Sequence, residues 1–228
     1  MPRGEQPVNK LWVVAGLLAL GLGTAQAAEI TVTVVDSQGA ALADAVVMLS
    51  GQGLVPERRP AAIDQQNRRF VPHVLAVSTG TAVSFPNTDD IRHQVYSFSS
   101  PKHFELPLYH GIPSTPVVFD QPGVVVVGCN IHDWMVGYIY VTAAGRSAVT
   151  DSQGHARLEA PNGHYQLTLW HPDLSDKHEV AQPDLDVAGT PLTVKLQLAV
   201  QPKPQPAEPA SSAFEDAFHK AAHDEAHP

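Results

Sequence analysis

From residue 29 onward, the chain alternates short apolar segments with turn-forming residues, a pattern typical of β-strands. The segments are rich in β-branched and aromatic side chains and are bounded by Gly, Pro, Asp or Asn. Those that we predict as strands are residues 30–35, 45–49, 74–78, 82–86, 94–98, 117–119, 124–128, 136–141, 165–170 and 192–198. The run of four valines from Val124 to Val127 suits burial on both faces, so we predict an all-β protein of packed antiparallel sheets.

The strands after residue 145 form a further small β unit in this prediction. Its turn Asp151-Ser152-Gln153-Gly154 repeats the tetrapeptide Asp36-Ser37-Gln38-Gly39, which follows the first strand. Residues 30–50 and 147–198 resemble the two halves of a carboxypeptidase-regulatory or transthyretin-like β-sandwich, which implies that the residues between them are an inserted domain. Two β units in simple tandem order are the alternative, because turn motifs of this kind have little specificity.

The two ends of the chain differ in composition from its middle. Four prolines in residues 201–212 indicate an extended linker, and the tail beyond it is expected to be disordered. His219, His223 and His227 recur there every four residues; a solvated acidic tail is favoured over a metal-collecting one. We therefore divide the chain into a signal peptide (1–27), N-terminal strands (28–65), a central domain (66–143), a C-terminal β unit (144–199) and a linker with its His-rich tail (200–228).

The N-terminus has the features of a secretory signal. Arg3 and Lys10 precede an apolar run over residues 11–23, and Ala25 and Ala27 provide the small residues of a cleavage site. An uncleaved anchor is the alternative, but the apolar run is too short to span a bilayer, so we expect export to the periplasm with no transmembrane segment after cleavage. The net charge of −9, with 23 acidic against 14 basic side chains, argues against binding to nucleic acid.

Cys129 is the single cysteine of the chain, so no intramolecular disulfide can form. One short loop combines its thiol with an imidazole and a thioether, from His132 and Met135, and His93 supplies a second imidazole upstream. Two imidazoles and a thiolate in a plane, with a weak axial thioether, are the ligands of a blue copper site. Zinc fits less well because it makes little use of a thioether.

The residue types in these segments, and their spacing, resemble those of the cupredoxin family, in particular amicyanin-like and plastocyanin-like proteins labelled methylamine utilisation proteins. The loop has the C-x-x-H-x-x-M spacing, and residues upstream resemble the run that leads to the first copper histidine: Phe70, Pro72, Val77, Gly80, Val83, Phe85, Asn87, Asp89, His93 and Val95. The resemblance spans about residues 66–143 and implies a Greek-key β-sandwich holding one type 1 copper ion. It implies the ligands His93, Cys129, His132 and Met135.

The same resemblance indicates which residues surround the ligands. Gln94 stands where cupredoxins use a backbone N–H to hydrogen-bond the cysteine sulfur, and Asn87 belongs to the same run. Asp133 and Trp134 replace the Pro-Phe of the short amicyanin loop, placing a carboxylate and an indole beside the site. Gly128 replaces the aromatic residue or histidine that often precedes the copper cysteine, so an electron route through that side chain is missing.

The sequence therefore predicts an exported electron carrier that is not itself an enzyme. Its acidic balance favours a basic partner surface; a c-type cytochrome is the expected acceptor, and the resemblance implies a quinoprotein amine dehydrogenase as donor. Two alternatives remain open: a periplasmic copper-delivery or resistance protein that carries the metal as cargo, and a hydrolase with a Cys-His₂ zinc site and Asp133 as base.

Overall fold

The computed structural model describes residues 27–113, 115–143, 145–176 and 178–202. Within these ranges every regular element is a β-strand, which confirms the predicted all-β class. The strands are β1 (Ala28–Val35), β2 (Val46–Ser50), β3 (Ala61–Ala62), β4 (Asp64–Gln66), β5 (Arg69–Val71), β6 (Val74–Ser78), β7 (Thr81–Ser84), β8 (His93–Ser99), β9 (Lys102–Tyr109), β10 (Val117–Phe119), β11 (Gly123–Gly128), β12 (Val136–Thr142), β13 (Arg146–Val149), β14 (His155–Ala160), β15 (Gly163–Trp170), β16 (Val180–Val187) and β17 (Leu192–Gln197).

Strands from the two ends of the described chain pair with each other. β1 lies between β14, to which it is antiparallel, and β17, to which it is parallel. β2 lies between β13 and β15, and β16 completes this second sheet. One apolar cluster fills the space between the two sheets and includes Ile30, Leu49, Leu158 and Trp170. Residues 28–50 and 146–197 therefore build one β-sandwich, which we call the outer sandwich.

The repeated tetrapeptide forms the same turn at both of its positions. The Asp36 carboxylate accepts the N–H groups of Gln38 and Ala40, at 2.8 and 2.9 Å. The Asp151 carboxylate accepts the two equivalent N–H groups, both at 2.9 Å, and these bonds hold the pKa of Asp151 below its usual range. The glycine that ends each turn has a positive φ, 84° and 74°, which glycine adopts without steric cost.

The chain between these halves forms a second unit, which carries the predicted ligands. Its larger sheet has the order β6-β12-β11-β8-β9, and its smaller sheet has the order β10-β7-β3. A second apolar cluster lies in this unit and contains Val83, Phe85, Phe119, Val125 and Ile139. Ile63 belongs to the same cluster, so the packed unit includes residues before the predicted boundary at residue 66. We call it the inner unit.

The two units share a contact through β12. The rings of Tyr138 and Tyr140, on the face of β12 that points away from the inner core, lie 6.0 and 5.4 Å from the ring of Trp170 in the outer sandwich. The Tyr140 hydroxyl also donates a hydrogen bond to Glu179. His73, just before β6, pairs with Asp44 of the outer sandwich at 2.7 Å. Tertiary packing therefore joins β12, which begins beside the predicted ligand Met135, to both units.

Seven of the observed strands were not predicted: β3, β4, β5, β9, β13, β14 and β16. Among them, the segment Lys102–Tyr109 forms the edge strand β9, antiparallel to β8. Phe104 and Leu106 face the inner core, whereas His103 and Glu105 face outward, so the period of two is present in the sequence. Pro107 argues against a central strand, but it is compatible with an edge strand because one side of such a strand needs no ladder hydrogen bonds.

The expected signal peptide and the His-rich tail are not covered by this description. Residues 1–26 and 203–228, including His219, His223 and His227, lie outside the described residues. In the part of the chain that the structure describes, no helix is long and apolar enough to cross a membrane.

Candidate metal centre

The predicted ligands lie at the ends of three strands of the five-stranded sheet. His93 begins β8, Cys129 directly follows β11, and Met135 directly precedes β12. β11 pairs with both other strands, so their ends meet at one edge of the sheet. His132 lies in the loop between β11 and β12, where the N–H of Met135 donates to the His132 carbonyl at 2.9 Å. This backbone hydrogen bond closes the loop of the hairpin formed by β11 and β12.

The three strongest donor atoms converge. Nδ1 of His93 lies 3.1 Å from Nδ1 of His132, and Sγ of Cys129 lies 3.9 and 3.8 Å from these two nitrogens. His93 is fully buried and Cys129 is 2% exposed, whereas His132 is partly exposed. Met135 is 1% exposed and belongs to the same apolar cluster as Cys129. The site is thus a buried pocket with one histidine that reaches toward solvent.

These separations fit a metal ion. In protein sites a metal ion lies about 2.0 Å from an imidazole nitrogen and about 2.3 Å from a thiolate sulfur. An ion bound to all three donors in a roughly trigonal plane needs donor atoms about 3 to 4 Å apart, which matches the observed distances. The cluster of His93, Cys129, His132 and Met135 is therefore consistent with a type 1 copper site.

Asp89 holds the far side of His93. Its carboxylate lies 2.8 Å from Nε2 of His93, so Nε2 carries the proton and Nδ1 is left to face the other donors. The same carboxylate accepts the backbone N–H groups of Asn67 and Arg68, at 2.9 and 2.7 Å, from the turn between β4 and β5. Burial alone would raise the pKa of Asp89, but the bonds from Arg68, His93 and Asn67 hold it below the usual range. Sequence reasoning did not assign Asp89 a role, although its spacing of four residues from His93 was visible.

Replacing Asp89 with alanine is expected to weaken copper binding by about 10-fold to 100-fold, the usual cost of losing the hydrogen-bond partner of a metal-binding histidine. Asp89→Asn retains an acceptor oxygen and should retain most of the affinity. Competition with a chelator of known affinity measures the effect. Asp90→Ala is the matched control because Asp90 is the exposed neighbouring carboxylate. Equal copper affinities for Asp89→Ala and Asp90→Ala would refute the role of Asp89.

Asn87 organises the loop that carries Asp89. Its side chain is 1% exposed and donates to the carbonyls of Ile91 and Tyr109, at 2.9 and 2.8 Å, while its Oδ1 accepts the N–H of Asp89 at 3.1 Å. Its backbone exchanges two hydrogen bonds with Gly111. The predicted position of Asn87 near the ligands therefore corresponds to a structural role: it ties the loop before β8 to the end of β9.

Tyr109 lies beside His93 in the ladder of β8 and β9. Its hydroxyl donates to the Phe85 carbonyl and accepts from the Gln65 side-chain amide, both at 2.5 Å. Burial raises the pKa of Tyr109 to about 12. The phenol therefore stays protonated in the folded protein at pH values where the unfolded chain ionises it.

This raised pKa predicts alkaline instability. The unfolded chain loses the phenol proton near pH 10 and the folded protein only near pH 12, so the stabilising contribution is complete below pH 10 and is lost as pH rises toward 12. The free energy of unfolding should fall by up to about 1.4 kcal/mol per pH unit in this window. Urea unfolding of the wild type and of Tyr109→Phe, at intervals across it, measures the fall. The prediction fails if the variant loses stability as steeply as the wild type.

The other residues predicted to surround the proposed ligands are Gln94, Asp133 and Trp134. The side chain of Gln94 donates to Glu105 at 2.6 Å on the outer face of the sheet, and the predicted bond from its backbone N–H to the sulfur stays a prediction. Asp133 is exposed. The Trp134 ring lies 5.1 Å from the ring of His132 and is partly buried. Trp134 therefore covers one side of the partly exposed histidine.

No protein-family model matches this chain, and no curated protein matches it either. Solved structures do resemble part of it. A copper-containing nitrite reductase from Thermus scotoductus SA-01 is 29% identical over 38% of this chain and 23% of its own length, with a TM-score of 0.35. A purple cupredoxin from Nitrosopumilus maritimus is 26% identical over 36% of this chain and 99% of its own, with a TM-score of 0.32. A mutant of amicyanin in its reduced Cu(I) form is 16% identical over 42% of this chain and 98% of its own length, with a TM-score of 0.34.

Proposed function

We propose that the inner unit is a type 1 copper domain and that the protein is a carrier of single electrons rather than an enzyme. The observation that supports this most directly is the convergence of the His93, His132 and Cys129 donors within 3.9 Å of one another, close in sequence to the buried Met135. Copper bound there would supply reversible one-electron chemistry between Cu(I) and Cu(II).

The surrounding fold suits that chemistry because it holds the donors in place. The Asp89 carboxylate fixes the ring of His93, and the Met135–His132 backbone bond closes the ligand loop. A site whose ligands are fixed by a sheet and a hairpin needs little rearrangement when the charge of the metal changes, which favours fast electron exchange. Exchange at His132 is expected because it is the partly exposed ligand, whereas His93 is fully buried.

The alternative of a zinc hydrolase is less well supported. A catalytic zinc ion keeps an open position for water, whereas Met135, which we propose as the fourth ligand, is 1% exposed and belongs to the apolar cluster that contains Cys129. Asp133, the expected base, is an exposed side chain in this loop. A thioether in place of water therefore favours copper and electron transfer over zinc and hydrolysis.

The location and the partners extend this proposal. With the signal-type segment 1–27 removed, the loss of Arg3, Lys10 and Glu5 leaves a net charge of −10 in a protein that we place in the periplasm. An acidic carrier is expected to meet partners with basic surfaces, at rates that fall with salt. A c-type cytochrome as acceptor, and a quinoprotein amine dehydrogenase as donor, are the partners that we propose.

Titration of the copper-free protein with Cu(II), followed by visible absorption and EPR, tests the proposal. One equivalent should produce an intense thiolate-to-copper band with a small copper hyperfine splitting, and Cys129→Ser should lose both. A colourless protein that prefers zinc, or a spectrum indifferent to Cys129, would contradict it. Rapid loss of copper to a weak chelator would instead favour the alternative in which copper is cargo.

A further inference from the structure

The residue before Cys129 brings an unexpected aromatic ring next to the site. Gly128 pairs with Tyr96 between β11 and β8. A Cβ atom on Gly128 would lie 3.1 Å from both Cζ and Oη of Tyr96, which is closer than an ordinary carbon contact of about 3.5–4.0 Å. The absence of a side chain at position 128 therefore lets the Tyr96 ring pack directly over the backbone that leads to the thiol.

The same ring begins a line of aromatic groups that ends at the surface. Tyr96 and Phe98 occupy alternate positions of β8, and their ring centroids are 5.1 Å apart. Phe98 in turn lies 5.1 Å from the ring of His103, its partner on β9. Tyr96 is partly buried and Phe98 is 73% exposed. We call Tyr96, Phe98 and His103 the aromatic line.

We propose that Tyr96 and Phe98 form a second electron exit from the copper site, separate from the exit at His132. This inference rests on the proposed blue copper function. Electronic coupling decays steeply across gaps between groups. The rings of the aromatic line pack against one another, so they provide a path with short gaps from Gly128, the neighbour of Cys129, to the solvent-exposed Phe98. Tyr96 would thus supply, from the adjacent strand, the aromatic group that is missing at position 128.

The step is a transfer of one electron to an acceptor that contacts Phe98. A copper ion held by His93, Cys129 and His132 would be oxidised from Cu(I) to Cu(II), and the acceptor, a one-electron oxidant such as a ruthenium(III) polypyridyl complex, would be reduced to ruthenium(II). No bond forms or breaks and no proton moves, because the tyrosine mediates coupling and keeps its phenol proton. Tyr96 is therefore a positioning and coupling residue, and copper binding does not depend on it.

A ruthenium polypyridyl photo-oxidant attached at position 103 tests the exit. The variant His103→Cys is labelled in the copper-loaded protein, in which Cys129 is bound to the metal, and the rate at which Cu(I) reduces photogenerated ruthenium(III) is followed by transient absorption. Adding Tyr96→Leu should lower this rate by about tenfold, whereas Tyr96→Phe should preserve it. The second control carries the label at Ile131→Cys, beside His132, where Tyr96→Leu should leave the rate unchanged.

Two further measurements do not depend on electron transfer from copper. The thiolate-to-copper band and the EPR spectrum of Tyr96→Leu should match those of the wild type. After removal of copper from the protein labelled at position 103, ruthenium(III) should instead oxidise Tyr96, whose phenol proton passes to water, and the tyrosyl absorption should be lost in Tyr96→Phe. This second signal reports contact between the ring and the surface exit when no metal is present.

The outcomes separate the two proposals. If the copper band forms but Tyr96→Leu leaves the rate from position 103 unchanged, the exit is wrong and the blue copper function stands. If Tyr96→Leu slows transfer equally from positions 103 and 131, its effect is a general disturbance of the site and the exit is also wrong. If no thiolate-to-copper band forms in the unsubstituted protein, the proposed function fails and the exit fails with it.

Discussion

Replacing His93 with alanine is expected to abolish tight copper binding and to destabilise the copper-free protein as well. His93 is fully buried, and its ring contacts both the donor cluster through Nδ1 and Asp89 through Nε2. Alanine removes a proposed ligand and leaves the Asp89 carboxylate, whose side chain is 12% exposed, without its imidazole partner. Loss of one partner from such a pair should lower the free energy of unfolding by about 2–4 kcal/mol.

Two measurements check this result. Calorimetric titration with Cu(II) reports the affinity, and urea unfolding of the copper-free protein reports the stability. His110→Ala is the matched control because His110 is an exposed histidine just beyond β9, and it should change neither quantity. A His93→Ala protein that still develops the thiolate-to-copper band would show that His93 is not a ligand. Unchanged copper-free stability would show that the pair with Asp89 contributes little to folding.

The ligand loop could be predicted from the sequence because its chemistry is local. Cys129, His132 and Met135 lie within seven residues, between two strongly β-forming segments, so a hairpin is enough to bring them together. His93 is the non-local member; its imidazole completes the set of donor types, and the resemblance to cupredoxins implies the same residue as a ligand. The structure places its Nδ1 3.1 Å from that of His132 because β8 is the neighbour of β11 in the sheet.

Contacts that depend on strand register could not be predicted. The hydrogen bonds from Asn67 and Arg68 to Asp89 join segments more than twenty residues apart. Both donors are backbone N–H groups, so the side chains of the two turn residues give no sign of the contact. In the same way, the sequence shows that Gly128 lacks a side chain, but only the pairing of β11 with β8 shows that Tyr96 fills the space. Local pattern predicts which residues form strands; which residues face each other follows from tertiary packing.

The pairing of the N-terminal strands has the same physical basis. Residues 28–50 contain only two of the seven strands of the outer sandwich, so their apolar faces are buried only when residues 146–197 return to them. Periodicity indicates that β1 has a buried face but does not indicate the partner. The resemblance to a regulatory or transthyretin-like sandwich suggested that partner, whereas hydrophobic periodicity alone was equally compatible with tandem units.

Replacing Trp170 with alanine is expected to cost about 3–5 kcal/mol of stability while leaving the copper spectrum of the folded protein unchanged. Trp170 is 1% exposed at the end of β15, and its ring contacts Tyr138 and Tyr140 of β12. Alanine removes this packing and leaves a cavity between the outer sandwich and the inner unit. The proposed ligands are held by other contacts. The Asp89 carboxylate bonds to the ring of His93, and a backbone hydrogen bond from Met135 to His132 closes the loop between β11 and β12.

Trp134→Ala is the matched control because we expect it to change the copper spectrum more than the stability, the reverse of Trp170→Ala. Trp134 is partly exposed and lies over His132, so its removal should change the copper band and EPR parameters with a smaller loss of stability. Urea unfolding, followed in parallel by far-ultraviolet circular dichroism and by the copper band, measures both effects in each variant. If Trp170→Ala alters the copper spectrum of the folded protein as much as Trp134→Ala does, the outer sandwich shapes the ligand geometry, and the independence of the metal site from that sandwich is refuted. If instead Trp170→Ala lowers stability alone, the outer sandwich supports the fold through β12, and the copper geometry is set within the inner unit.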